Sequence, residues 1–516
     1  MSLLVLLFLT AACLPEARAY SLTDWNDSTR LFATACLCGF GMLAACTLSA
    51  FTVRGAHSTP ERRSRAIRRY SSTRWFLFFV NLSAAVVAIL VCGWGQYVDV
   101  HFRIDWHGER VLAPFAELLV PAPYLANVIA NWFIYYPAER ALSRTSGKPR
   151  SQGFWSLLGF VLFNARQFAL LVLFPVMLFA SMNSALRFFP EWLEQDAFQL
   201  VSLFAMIGFF VFLPRLVKPL LGLKSLPAGP YRSQLETLEQ RLSFRRTDLL
   251  LWPTRGGAAN ALILGVVPQA RYVIFTDTLL ESLTPPELDA AFGHEVGHAI
   301  HGHLAYYALF LLLSATAIGG LTGVANEYAE RWGAYEMLPG ELQWMWKFGP
   351  ILLMGTYLFL VFGWLSRVCE RQADIAGARA GSCGEPHCSG HEESDPIRAG
   401  SVSDGDSLTR RSRFRLGKST LPCETGLRAM VMALEAVTGM NGMAPEARRG
   451  FAARWVAWFR SWQHGPPNAR IEYLQSLMVN PELARVHDRY AYRVRWGIAI
   501  VLVAILAAST AAMQKS

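Results

Sequence analysis

Residues 284–303 read TPPELDAAFGHEVGHAIHGH, and this stretch sets the chemistry expected of the chain. Thr284 is a cap residue, Pro285 suits the first helical position, and Glu287 stands three after the cap, where it completes a capping box. Leu288, Ala291, Phe292 and Val296 recur at helical spacing. The run 294–298, HEVGH, therefore lies inside a helix that begins near Pro285. At about 3.6 residues per turn, His294 and His298 stand one turn apart on one face. Two imidazoles so placed can share one zinc ion. Glu295 sits beside the metal, where a carboxylate can take a proton from a water that the metal activates. His301 and His303 follow near the helix end and read as cap or interface residues, since a catalytic zinc rarely takes more than three protein ligands.

Composition supplies the second frame. Hydrophobic residues make up 53% of the 516-residue chain and charged residues 17%, the balance of a membrane protein. Apolar stretches of spanning length lie near 31–53, 75–93, 112–136, 168–183, 198–217, 304–324, 348–365 and 494–513. Pro121 and Pro123 interrupt the third. Residues 1–19 form a possible signal peptide or a short first membrane segment, with an apolar core from Leu3 to Ala12 and the small-x-small run Ala17-Arg18-Ala19.

Loop charges orient these spans. The loop 54–74 carries seven arginines against Glu61, and 137–153 carries Arg140, Arg144, Lys148 and Arg150 against Glu139. The loops 184–197 and 325–347 lean acidic. The positive-inside rule then places 54–74, 137–153, 218–303 and 366–493 on the cytoplasmic side of a cell membrane. The net charge of +10 is mostly this bias, so nucleic acid is not the expected partner; the bilayer and a peptide are. Oligomeric state is not legible.

This topology tests the metal reading. From the HEVGH helix the chain crosses out and returns, and it emerges on the same side at SRVCERQAD, 366–374. A carboxylate is a natural completion of a two-His site, and Glu370 is well placed for it. Asp374, one helical turn later, could hydrogen-bond the far nitrogen of a ligating His and fix its tautomer. Read alone, both are ordinary charges after a membrane exit.

The HEVGH run, the SRVCERQAD run and the two spans between them resemble the membrane-bound zinc metalloproteases that include the type I CAAX prenyl endopeptidase and the heat-shock protease HtpX. Asn260-Ala261 before an apolar hairpin-like stretch that ends in RYVIFT, 271–276, is similar to that family as well. So is HGPPNARI, 464–471, which matches a family HPxxxxRI run except that Gly465 replaces the proline. The resemblance covers about 218–480. It implies a zinc metalloendopeptidase with one Zn2+ on His294, His298 and Glu370, Glu295 as general base, and His464 and Arg470 at the developing oxyanion. An exposed edge strand near Asn260 would hold the substrate, with Asn260 anchoring the peptide backbone.

The expected fold is mainly α: a polytopic helix bundle of about eight spans, with a cytoplasm-facing, gluzincin-like zinc metalloprotease domain that contains a small β-hairpin or sheet. The expected order is an N-terminal bundle over 20–217, catalytic halves over 218–303 and 366–493, two spans over 304–365 between them, and a last span over 494–513. A polar insert, 382–425, holds Cys383, His387, Cys388, His391 and Cys423 in no strong metal-site spacing and reads as a flexible loop. Substrates would be membrane-associated or lipidated proteins. Alternatives are a quality-control protease of the HtpX type, or an inactive scaffold or transporter. An intramembrane site-2-type protease should carry an LDG motif, and none occurs.

Overall fold

The computed structural model describes residues 2–54, 60–144, 155–193, 208, 211–255, 257, 259–333, 343–381, 421–441 and 461–513. They fall into two compact units, 1–210 with 219–221, and 211–218 with 222–516. The first unit is helical: Ser2–Ala12, Pro15–Ala19, Asp27–Thr52, Pro60–Leu90, Trp94–His101, Ala122–Arg144 and Leu157–Phe188, with one hairpin of β1 (Arg103–Trp106) and β2 (Glu109–Leu112). The last helix runs unbroken through Asn164, Arg166 and Gln167 by way of a π turn at Ala169–Leu173, so the apolar stretches on either side of those polar residues belong to one element.

Six described helices are long and apolar enough to cross a membrane: Asp27–Thr52, Arg65–Leu90, Leu157–Phe188, His303–Arg331, Leu352–Ala380 and Glu482–Ala512. The stretch 112–136 behaves differently. It is divided among β2, a 3-10 turn at Ala116–Leu119 and the helix Ala122–Arg144, in which Asn127 and Asn131 are buried and Pro137 is internal. Most of 198–217 lies outside the described residues, as do 382–420 of the polar insert with Cys383, His387, Cys388 and His391. Cys423 is buried at the cap of the helix Glu424–Met440.

The second unit holds a four-stranded mixed sheet of order β3-β4-β6-β5, with β3 at Lys224–Ser225, β4 at Asp248–Trp252, β5 at Ala261–Leu264 and β6 at Tyr272–Thr276. β6 is central and buried along its whole length. It pairs parallel with β4 and antiparallel with β5, in the register Ala261↔Phe275 to Leu264↔Tyr272. Among the described residues, β5 is left as an edge. The helix Pro285–Ile300 packs on the sheet through Leu288, Phe292 and Val296, with the Phe292 and Phe275 rings stacked at 6.3 Å between centroids. Its capping box forms, Thr284 N–H donating to Glu287 Oε2 at 2.8 Å.

Two long helices follow. His303–Arg331 is the first. The second starts at Gln343, passes a π turn at Leu358–Phe362 and continues without a break to Ala380. Glu370 and Asp374 thus ride on the same rod as the apolar segment rather than on a separate piece of chain. The helices Glu424–Met440, Pro467–Val479 and Glu482–Met513 complete the unit, the last running through 493 without interruption.

Candidate metal centre

The site is made where two helices touch backbone to backbone. Along Pro285–Ile300 the contact face presents Ala290, Gly293 and Gly297; along Gly363–Ala380 it presents Ala373, Ala376, Gly377 and Ala380. A Cβ on Gly297 would stand 2.6 Å from that of Ala376, and one on Gly293 would collide with Ala380. A Cβ on Gly377 would stand 2.7 Å from the Ala290 carbonyl oxygen. Only small residues permit this approach, and it brings side chains of both helices to one point.

At that point stand His294, His298 and Glu370, each offering a ligand atom, all within 4.8 Å of one another. The two Nε2 atoms lie 3.2 Å apart, and each is 3.6 Å from a different oxygen of Glu370. A tetrahedral zinc with bonds of about 2.0–2.2 Å separates its ligand atoms by roughly 3.4 Å. The three residues therefore fit such an ion. Two further features agree. Glu370 Oε2 is buried and accepts no hydrogen bond; Arg470 Nη1 stands 3.3 Å away as an ion pair only, which leaves the oxygen's lone pairs open to a metal ion. Burial, and then the neighbouring His294, push His298 down to about 3, so its imidazole is neutral as a ligand must be.

Asp374 Oδ1 lies 3.0 Å from His294 Nδ1, the nitrogen turned away from the cluster. Burial opposes charge on His294, but Asp374 and Glu370 outweigh it and raise its pKa. Arg470 clamps Asp374 with two bonds, Nε to Oδ2 at 2.8 Å and Nη2 to Oδ1 at 2.5 Å, and reaches Glu370 Oε2 at 3.3 Å through Nη1. His464 Nδ1 lies 2.9 Å from Glu370 Oε1, and that carboxylate raises the pKa of the imidazole. The His464 ring itself is 67% exposed, turned to the cavity mouth.

Glu295 faces the same cavity. Burial raises its pKa and Glu370 adds to the rise, while His294 and then a hydrogen bond from Ile263 N–H of β5 partly offset it. Asn260 precedes β5. Its backbone is pinned to Thr276, N–H to Oγ1 at 2.9 Å, and its side chain lines the cavity. The cavity holds about 490 Å3. Beyond the polar cluster its wall is apolar, with Leu304, Tyr307 and Phe362 from the long helices and Met430, Ala433, Leu434 and Val437 from Glu424–Met440.

The structure thus gathers His294, Glu295, His298, Glu370, His464, Arg470 and Asn260 around one cavity, with Asp374 buried behind His294. His301 closes the helix end, and His303, fully buried, lies behind His298 rather than among the ligand atoms. Several contributors are not visible in the HEVGH and SRVCERQAD runs as motifs. The glycine-alanine seam is one, although small residues at every third or fourth position on both segments signal it. Trp462 is another: its carbonyl accepts from Arg367 at 2.8 Å and its ring stacks on Phe359 at 5.2 Å, which ties the His464 loop to the Glu370 helix. Gly465 is a third. It has φ +76°, which a proline, fixed near −65°, cannot adopt, so the departure from HPxxxxRI is a different turn and not a neutral exchange.

Residues 234–389 match the family described as Peptidase family M48. Over that stretch, less than a third of the chain, it is similar to the M48 peptidases. It is 28% identical over 181 residues to a probable CAAX prenyl protease 1 of Schizosaccharomyces pombe, covering 33% of this chain and 36% of the relative. It is 27% identical over 160 residues to a protease HtpX homolog of Methanocaldococcus jannaschii, covering 29% and 52%. The chain thus spans about a third to a half of the length of these relatives. Among solved structures, Ste24p of S. mikatae aligns with a TM-score of 0.49 at 14% identity, over 88% of this chain and 100% of that one.

Proposed function

We propose that this chain is an integral-membrane, zinc-dependent metalloendopeptidase that hydrolyses peptide bonds of membrane-associated or lipidated proteins. One observation carries the reading: the His294–His298–Glu370 cluster opens onto a cavity bounded by an unpaired sheet edge and by apolar side chains of two spanning helices. When bound there, zinc supplies a Lewis acid that polarises a carbonyl and acidifies water.

The chain's own groups divide the remaining work. Glu295 takes the proton of the attacking water and passes it to the leaving nitrogen; its raised pKa brings it closer to working pH, where proton transfer is efficient. Asp374 orients His294 through Nδ1, and Arg470 holds Asp374 in place for that purpose. His464, exposed at the cavity mouth, and Arg470 Nη1 are the donors on hand for negative charge on the carbonyl oxygen. A substrate strand lies along the free edge of β5, main chain to main chain, with Asn260 holding its end.

Purified full-length protein carrying one zinc per chain should cleave an apolar peptide. Glu295→Gln keeps the size and polarity of the side chain but cannot act as a carboxylate base. It should retain zinc and lose at least about 100-fold in kcat. Near-normal cleavage by that variant would make the enzyme reading untenable.

A further inference from the structure

Behind the ligand cluster runs a line of buried polar groups that no substrate can touch. His298 turns Nε2 to the cluster, and its other nitrogen, Nδ1, lies 3.0 Å from Nδ1 of His303. His303 Nε2 lies 3.0 Å from Gln372 Oε1. Gln372 Nε2 donates to Asp488 Oδ1 at 2.9 Å, and Arg379 Nη2 donates to Asp488 Oδ2 at 2.9 Å. His303, Gln372, Asp488 and Arg379 are each no more than 3% exposed.

The polarity of this line is determined from both ends. A ligating Nε2 keeps its lone pair, so a neutral His298 carries its proton on Nδ1 and donates it. His303 Nδ1 then accepts, which puts the His303 proton on Nε2, facing the carbonyl oxygen of Gln372. Gln372 is left with its amino group toward Asp488, a carboxylate that can only accept. Arg379, which can only donate, closes the far end. The opposite polarity would place a proton on His298 Nε2 and deny that atom to a metal. His298 and Asp488 lie more than a hundred residues apart in sequence, yet they demand the same direction at every link.

Asp488 belongs to the helix Glu482–Met513, well beyond the matched residues 234–389. The same helix is fastened to both ligand-bearing helices. His487 Nε2 lies 3.0 Å from the Val368 carbonyl oxygen, and Arg495 Nη1 donates to the His301 carbonyl oxygen at 2.5 Å.

We propose that Gln372 and Asp488 are positioning residues of the metal centre. Acting through His303, they select the tautomer and ring orientation of His298, which makes the C-terminal helix a part of the site. The inference rests on the reading of His298 as a zinc ligand and extends it to a segment outside the matched region. It differs from a purely structural role for the same groups, in which the polar line merely joins helices.

Full-length protein in detergent, loaded with zinc alone or with cobalt alone, separates the two. Gln372→Met keeps the shape and removes both hydrogen bonds; Gln372→Glu keeps the length but cannot donate to Asp488. Both should weaken zinc binding about 10–100-fold in competition with a chelator, and both should shift the visible spectrum of the cobalt form. Asp488→Asn, which keeps an acceptor for Gln372 and drops the charge, should weaken binding less but measurably. His487→Leu removes a buried hydrogen bond of the same helix that does not lead to the metal. It should lower the melting temperature with zinc affinity and cobalt spectrum unchanged. If the Gln372 variants melt earlier, as His487→Leu does, but bind zinc and cobalt as the wild type does, the proposal is wrong and the line is helix adhesive. Should the Gln372 variants not fold, unchanged affinity in Asp488→Asn overturns it equally. A wild-type chain that binds no zinc refutes the metal reading itself, a result distinct from either.

Discussion

At the scale of single residues, the centre works by assigning each carboxylate a different environment. Glu370 is enclosed by two imidazoles, an arginine and His464, whereas Asp374 is gripped by Arg470 and turned to the back of His294. Glu370 places its oxygens beside the Nε2 atoms of both His294 and His298, whereas Asp374 meets only the far nitrogen of His294, so removing Glu370 should cost the metal. Glu370→Ala is expected to lower zinc content well below one per chain by elemental analysis, and activity with it; full occupancy would remove Glu370 from the ligand set. The ligand residue types and their order were legible in the sequence, because zinc chemistry demands two histidines one turn apart and a carboxylate that returns to the same side. The second partner of each group was not. That Arg470 binds Asp374 while His464 binds Glu370 depends on how the 461–470 loop folds over the helix, and the left-handed turn at Gly465 is a property of that loop alone.

At the scale of elements, the seam between Pro285–Ile300 and Gly363–Ala380 decides whether the residues meet. Two effects oppose each other at Gly297. Alanine favours a helix over glycine by about 1 kcal/mol. A Cβ there, however, would stand 2.6 Å from that of Ala376, on a backbone held by the rest of the helix, and overpacking of a tight contact costs about 1–3 kcal/mol. Both helices are anchored, one on the sheet and one in a spanning segment, so the clash should win. Gly297→Ala is expected to lower the melting temperature and to reduce zinc affinity, because the two ligand-bearing rods are pushed apart. A variant with higher stability and intact zinc binding would show that the seam gives way freely. The helix start at Thr284 could be read from its cap and periodicity, and the hairpin of β5 and β6 only from the family resemblance. The added parallel strand β4 could not, since DLLLW has no alternation and its pairing with β6 is a long-range event. Nor could the length of the helix 343–380, because the charges of SRVCERQAD suggest an exit where the backbone simply continues.

At the scale of the whole molecule, His294 and Glu370 meet although two long apolar helices separate them in sequence. An even number of crossings between them is the condition for that, and the positive-inside rule, applied to the arginine-rich stretch 54–74, leads us to propose the cytoplasmic side for both. Single reporter cysteines at Arg62 and at Glu336, in a background without native cysteines, should label in opposite ways in intact cells, Glu336→Cys directly and Arg62→Cys only after permeabilisation. The reverse pattern would move the active site to the other face of the membrane.

The cavity lining argues which substrates such a site would favour. Leu304, Tyr307 and Phe362 line it from helices of spanning length, together with the cluster and residues of β5. A peptide laid along β5 gains main-chain hydrogen bonds whatever its sequence, so β5 alone selects for extended chain and little else. Discrimination must come from the apolar wall, at about 25 cal/mol for each Å2 of apolar surface withdrawn from water. An apolar or lipid-bearing residue near the scissile bond has such surface to bury, and a soluble polar peptide has not. One peptide compared in three forms, prenylated, acylated and plain, should therefore show kcat/KM rising at least about tenfold from the plain form to either lipidated form, since a gain of about 1.4 kcal/mol, well within one buried chain, is a factor of ten. A preference confined to the prenylated form would narrow the substrate to that lipid, and equal preference would point to membrane proteins more broadly. Equal kcat/KM for all three would remove the apolar wall from any role in selection.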